Sequence, residues 1–159
     1  MDAMQDQASL IQHKWGGFNQ HIDNWLAHRA KLLSHYCQVA NLPPYETPQF
    51  TLPTPEQLTI FCNNLVDYIS EGHFEIYEEI MLNYEQKHQE RMRLNDKVVP
   101  KINITTDVAL SFNEKYANCS ATDDMHELDE DLSNLGELME QRFELEDLLL
   151  EQLYQTHQQ

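Results

Sequence analysis

Five polar residues stand where the chain otherwise keeps apolar side chains: Arg29, His73, Asn113, Arg142 and Glu146. By helical periodicity the two arginines, the asparagine and the glutamate project inward, and His73 lies at the edge of its stripe. A charge buried alone costs several kcal/mol, roughly, so these groups are expected to pair. Glu146 lies one turn beyond Arg142, at the spacing where side chains meet. Arg29 can reach the same carboxylate from another helix. The expected product is a buried polar layer that fixes helix register, with a small-molecule pocket as the alternative. Metal chemistry would need a Glu-x-x-His on each of two helices. Glu85-Gln86-Lys87-His88 supplies one, and Asp123-Asp124-Met125-His126 is a weak second at a turn. Neither histidine falls in a core stripe, so no metal or other cofactor is expected. No serine or cysteine carries a nucleophile motif, and no Gly-rich phosphate loop is present. Cys62 falls among apolar positions and reads as a small buried hydrophobe. Nothing here predicts an enzyme.

A second constellation belongs to binding rather than to bond-making. Between Leu58 and Ile80 a helical reading puts Leu58, Cys62, Leu65, Ile69, Gly72, His73, Ile76 and Ile80 on one face. Asn63, Asp67, Ser70, Phe74, Glu78 and Met81 form a ridge on the opposite face, flanked by Glu71 and Glu75. A large aromatic thus sits among carboxylates on the side that should meet water. An apolar group rimmed by polar ones is the pattern of a partner site.

Four helices must position these groups. The first is predicted over about Ser9 to Ala40, from Ile11, Trp15, Phe18, Ile22, Trp25, Leu26, Leu33 and Tyr36; Gly16-Gly17 weakens its first turns. Residues 41–55 hold five of the six prolines and read as a connection. Thr54-Pro55-Glu56-Gln57 is a capping box that starts the second helix, predicted to run to about Arg91 with Gly72 as a close-packing point. Pro100 marks the start or a kink of the third, whose inner face is read as Ile102, Thr106, Ala109, Asn113 and Tyr116. The fourth is predicted from about Asp124 to Tyr154, on Leu128, Leu132, Leu135, Met139, Leu149 and Leu153. With no strand pattern, the expected fold is all-α: one domain over residues 1–159, an antiparallel four-helix bundle.

Charge narrows the partner. The 159 residues carry 27 acids against 10 bases, a formal charge of −17. Phosphate contacts need Lys and Arg, so nucleic acid is not the expected direct partner; a basic protein is. The three cysteines are dispersed, without Cys-x-x-Cys spacing, as in a reducing compartment. No apolar run approaches the ~20 residues of a membrane span, and no signal pattern opens the chain. The expected location is the cytoplasm.

Leu65-Val66-Asp67-Tyr68-x-Ser70-x-Gly72-His73-Phe74-x-x-Tyr77-Glu78 resembles the signature of the Rsd/AlgQ family, bacterial regulators of the housekeeping sigma factor. Trp25-Leu26-x-x-Arg29 and Arg142-Phe143-x-Leu145-Glu146-Asp147 resemble two further segments of that family, and Trp15-Gly16-Gly17 resembles its AlgQ branch. The resemblance implies a four-helix bundle that binds region 4 of the housekeeping sigma factor, with no catalytic turnover. Carried over residue by residue, it implies a sigma contact at Asp67, Ser70, Glu71, Phe74 and Glu78. It also leaves open a hub that binds a phosphocarrier of the sugar phosphotransferase system or a stringent-response enzyme, and an AlgQ-like positive regulator of virulence genes.

Overall fold

The computed structural model describes residues 20–46, 52–72, 76, 88–120 and 124–158, with backbone alone for 88–95 and 152–158. Among these residues there are four helices and no strand: α1 (Gln20–Val39), α2 (Pro55–Glu71), α3 (His88–Tyr116) and α4 (Leu128–Gln158). The expected Ser9–Phe18 part of the first helix lies outside the described residues, as do His73, Phe74, Glu78 and the Glu85 to Lys87 stretch.

Each helix buries one stripe. In α1 it is Ile22, Trp25, Leu26, Arg29, Leu32, Leu33 and Tyr36, at the three-and-four spacing that aligns side chains on one face. Asn41 stops α1 by taking a left-handed φ of 57°, and the Leu42 N–H turns back to the Cys37 carbonyl at 2.8 Å. The capping box read at Thr54 forms in full. The Gln57 N–H donates to Thr54 Oγ1 at 3.1 Å, and the Thr54 N–H donates to Gln57 Oε1 at 2.9 Å. Gly72 is the close-packing point expected of it: a Cβ there would stand 3.2 Å from Trp25 Nε1.

Two boundaries differ from the sequence reading. Pro100 lies inside α3, which begins at His88, so residues 88–91 belong to the third helix and not to the second. Pro100 removes one N–H, and the helix on both sides supplies the rest of the ladder. The fourth helix starts at Leu128, with Asp129, Glu130 and Asp131 in its first turn, where carboxylates meet the positive end of the helix dipole. The inner face of α3 is also rotated. Thr105 and Phe112 are buried with Ile102, Ala109 and Tyr116, while Thr106 and Asn113 sit at its edge.

The helices meet in a ladder of contacts. Between α1 and α2, Trp25 stacks on Tyr68 at 5.4 Å and Tyr36 meets Phe61 at 6.0 Å. Between α2 and α3, Phe61 meets Phe112 edge-on at 5.8 Å, and Thr59 Oγ1 donates to the Ala117 carbonyl at 2.8 Å. Between α3 and α4, Arg142 bonds Thr105 and Thr106, while Lys115 and Tyr116 bond Asp131 at 2.8 and 2.6 Å. Between α4 and α1, Tyr36 donates its hydroxyl to the Leu132 carbonyl at 2.6 Å. Burial pushes the Tyr36 phenol up to about 12, with Cys37, Asp129 and Glu137 adding to the shift. Gly136 leaves room for that ring, since a Cβ there would come within 2.9 Å of Tyr36 Cζ. Gly136→Ala is therefore expected to push Tyr36 off Leu132 and to cost about 1–3 kcal/mol, as overpacking does. That loss outweighs the helix propensity of about 1 kcal/mol that alanine gains over glycine. A thermal melt checks it; a variant more stable than the parent would mean that Tyr36 yields freely.

Candidate functional site: a buried charge layer and the groove outside it

The polar layer expected from periodicity forms, with partners the sequence reading did not include. Arg29, 1% exposed, occupies its centre. Its Nε donates to the Tyr68 hydroxyl at 3.0 Å, and one terminal nitrogen donates to Asp147 Oδ1 at 2.7 Å. The other stands 3.5 Å from Glu146 Oε1. Tyr68 in turn donates a hydrogen bond to the same Glu146 oxygen at 2.6 Å. The guanidinium lies over the rings of Phe143 and Trp25, at 4.7 and 5.2 Å from their centroids. Burial works against the charge on Arg29. The fields of Tyr68, Glu146 and Asp147 and the hydrogen bond to Asp147 outweigh it, so its pKa is raised.

Arg142 closes the layer on the far side. Its Nε is 3.5 Å from Glu146 Oε2, and a terminal nitrogen donates to Thr105 and Thr106 at 3.1 and 2.7 Å. Both threonines also donate to the Ile102 carbonyl. The structure thus brings together Arg29, Arg142 and Glu146 and adds Tyr68, Asp147, Thr105 and Thr106. Asn113 is not brought in: it is half-buried and two turns beyond Thr106, about 10 Å along the axis. His73 lies outside the described residues.

The layer leaves almost no room for a ligand. The space lined by Arg142, Thr105, Tyr68 and Phe143 amounts to about 10 Å³, the lower limit for a single water. Its charges are spent on one another, through contacts that join α1, α2, α3 and α4. Burial pushes the Cys62 thiol up to about 12, with Cys119 adding to the shift, which leaves it a poor nucleophile. His126 pairs with Asp124 at 2.8 Å at the surface. Among the described residues no group of three or more His, Cys, Asp or Glu is placed to hold a metal ion.

The surface over α1 and α2 is arranged differently. Of the expected contact residues, Asp67 and Ser70 are exposed. Glu71 is half-buried and bonded to His28 Nδ1, so it is less available than its ridge position suggested. Asn64 donates its amide to His35 Nδ1 one clasp further along. Burial, and then the charge of Lys31, hold His35 below its ordinary pKa. Between the two clasps His28, Lys31, Asn64, Asp67 and Tyr68 line a cavity of about 130 Å³. Ile60, 53% exposed, stands one turn beyond Asn64 on the same flank. Helical spacing could have revealed it, since Ile60, Asn64, Asp67 and Glu71 recur at four, three and four. A larger, mainly apolar cavity of about 440 Å³ lies between Val39, Leu52, Pro53, Met125, Leu128 and Leu132. No helix among the described residues is long and apolar enough to cross a membrane.

Comparison with known proteins adds a family to this geometry. Residues 4–154 match the family model described as "Regulator of RNA polymerase sigma(70) subunit, Rsd/AlgQ". The chain is similar to proteins named Regulator of sigma D. It is 36% identical over 149 residues to that of Yersinia enterocolitica, covering 93% of this chain and 89% of that one. It is 35% identical over 149 residues to that of Yersinia pestis, covering 93% and 88%. To that of Pectobacterium atrosepticum it is 33% identical over 153 residues, covering 95% and 99%.

Proposed function

The chain belongs to the Rsd/AlgQ family, regulators of the RNA polymerase sigma(70) subunit, and from that premise we propose that it binds region 4 of the housekeeping sigma factor and withholds it from core polymerase and promoter. Membership makes it a regulator of transcription that works by binding protein and not an enzyme. The observation that carries the finer reading is the outer face of α2. There Asp67 and Ser70 are exposed, and the exposed Ile60 lies two turns before Asp67 on the same flank, on a chain of net charge −17. A helix-turn-helix domain that reads promoter DNA presents Arg and Lys toward phosphates. An acidic face with an apolar contact suits that surface, and its occupation would deny the domain to DNA. We read the scaffold as an antiparallel bundle. The descending pairs Trp25–Tyr68 and Tyr36–Phe61, Thr59–Ala117 and Phe61–Phe112, Thr106–Arg142 and Lys115–Asp131 support it.

Stopped-flow mixing with isolated sigma region 4 tests the reading. The expected result is stoichiometric binding whose on-rate falls severalfold between low and physiological salt. An on-rate flat across that range would assign the acidic balance to solubility. Absence of binding to region 4, with binding to the whole sigma factor retained, would move the contact to another sigma domain.

A further inference from the structure

The groove over α1 and α2 has two edges of opposite character. Its α2 edge carries Asp67 and Glu71; its α1 edge carries Lys31 with His28 and His35. Glu71 is engaged with His28, and His35 with Asn64. That leaves Lys31 and Asp67, both exposed, on opposite walls of the cavity between the clasps. Among the described residues neither is in an ion pair. Two full charges of opposite sign, held apart on neighbouring helices and open to solvent, are complementary to a helix that is basic along one edge and acidic along the other.

Resting on the reading that region 4 docks on α2, we propose that this groove fixes the direction of the docked helix. A basic group of region 4 lies over Asp67, a carboxylate of the same helix lies over Lys31, and Ile60 gives the apolar contact at the groove's end. Lys31 is then a specificity determinant on a chain of net charge −17. This sets the local arrangement against the bulk charge. The chain carries −17, and loss of a cation increases its pull on a basic partner. Net charge alone therefore makes Lys31→Glu bind region 4 as well or better. A groove that reads polarity makes it bind worse, because a carboxylate then faces a carboxylate.

The experiment measures the affinity of the full chain for isolated region 4, with a melting curve for each variant. Lys31→Glu is expected to raise Kd by about tenfold with an unchanged melt, while Lys31→Arg stays near the parent. A set of region 4 variants, each with one Asp or Glu changed to Lys, is then titrated against Lys31→Glu, and one of them is expected to restore affinity. Unchanged or tighter binding of Lys31→Glu would overturn the proposal. Weakening that no acid-to-Lys variant relieves would also overturn it. Asp67→Asn separates the two levels of the argument. If it weakens binding while Lys31→Glu does not, region 4 still docks on α2 without a polarity-reading groove. If neither matters, docking on this face fails with it.

Discussion

Arg29→Met should lower the unfolding free energy by roughly 3–5 kcal/mol, the usual result of removing one partner from a buried ion pair. Methionine fits the volume, but it leaves Glu146, 0% exposed, without its nearest α1 cation, and takes a 2.7 Å hydrogen bond from Asp147. Tyr68 loses a donor, and Trp25 and Phe143 lose the guanidinium over their rings. For a domain of this size such a loss lowers Tm by roughly 6–20 °C. Arg142→Met should cost less, about 1–3 kcal/mol. Glu146 keeps Tyr68 and Arg29, and Thr105 and Thr106 keep the Ile102 carbonyl. Melting curves of the two variants decide the order. A melt of Arg29→Met within about 2 °C of the parent would mean that water or a shifted Arg142 replaces the lost charge.

Phe74→Ala should weaken binding of sigma region 4 by about thirtyfold or more, close to the 2 kcal/mol typical of a central apolar anchor. Phe74 lies outside the described residues, and the expectation rests on helical spacing. Asp67 and Ser70, which precede it on that ridge, are exposed. Asp67→Ala should have a smaller effect, mainly on the on-rate, since it removes charge from a solvated position. Ile69→Ala is the control. It empties a buried core site, so it should cost about 2–5 kcal/mol of stability with little effect on the affinity of the folded fraction. Affinity and melting are measured on each variant. If Phe74→Ala melts early and binds normally once folded, Phe74 is a core residue and the contact lies elsewhere on the surface.

The features legible in the sequence were those set by local chemistry. The Thr54 capping box involves four consecutive residues, and the Gly72 approach involves one residue that only lacks a side chain. Arg29, Arg142 and Glu146 stood out because a charge in an apolar stripe has few explanations. Tyr68 and Asp147 were not legible as partners of Arg29. Tyr68 reads as a core aromatic, and Asp147 neighbours Glu146 in sequence, where helical residues do not share a face. The planar fork of Arg29 reaches both, a property of the docked helices and not of either alone. Thr105 escaped notice for a similar reason. Its hydroxyl can turn to a carbonyl or to a guanidinium, so its type does not declare burial. The boundary at His88 is hidden because residues 87–93 are charged on nearly every side and carry no stripe.

The bond from Arg29 to Asp147 joins residues 118 apart in sequence, and the one from Tyr68 to Glu146 joins residues 78 apart. The contacts of α1 with α2 and of α3 with α4 close much shorter loops, and loop-closing entropy grows with separation. The two helix pairs can therefore collapse on local apolar contacts before the charges meet. Desolvating Arg29 and Glu146 before their partners are in place would raise the barrier, so the layer should complete itself only on the native side of it. Substitutions there would then act on lifetime. Arg29→Met should speed unfolding by roughly 150- to 5000-fold while the folding limb of a chevron plot scarcely moves. A charge network with little apolar stabilisation to offer would in this way set how long the binding surface persists between unfolding events.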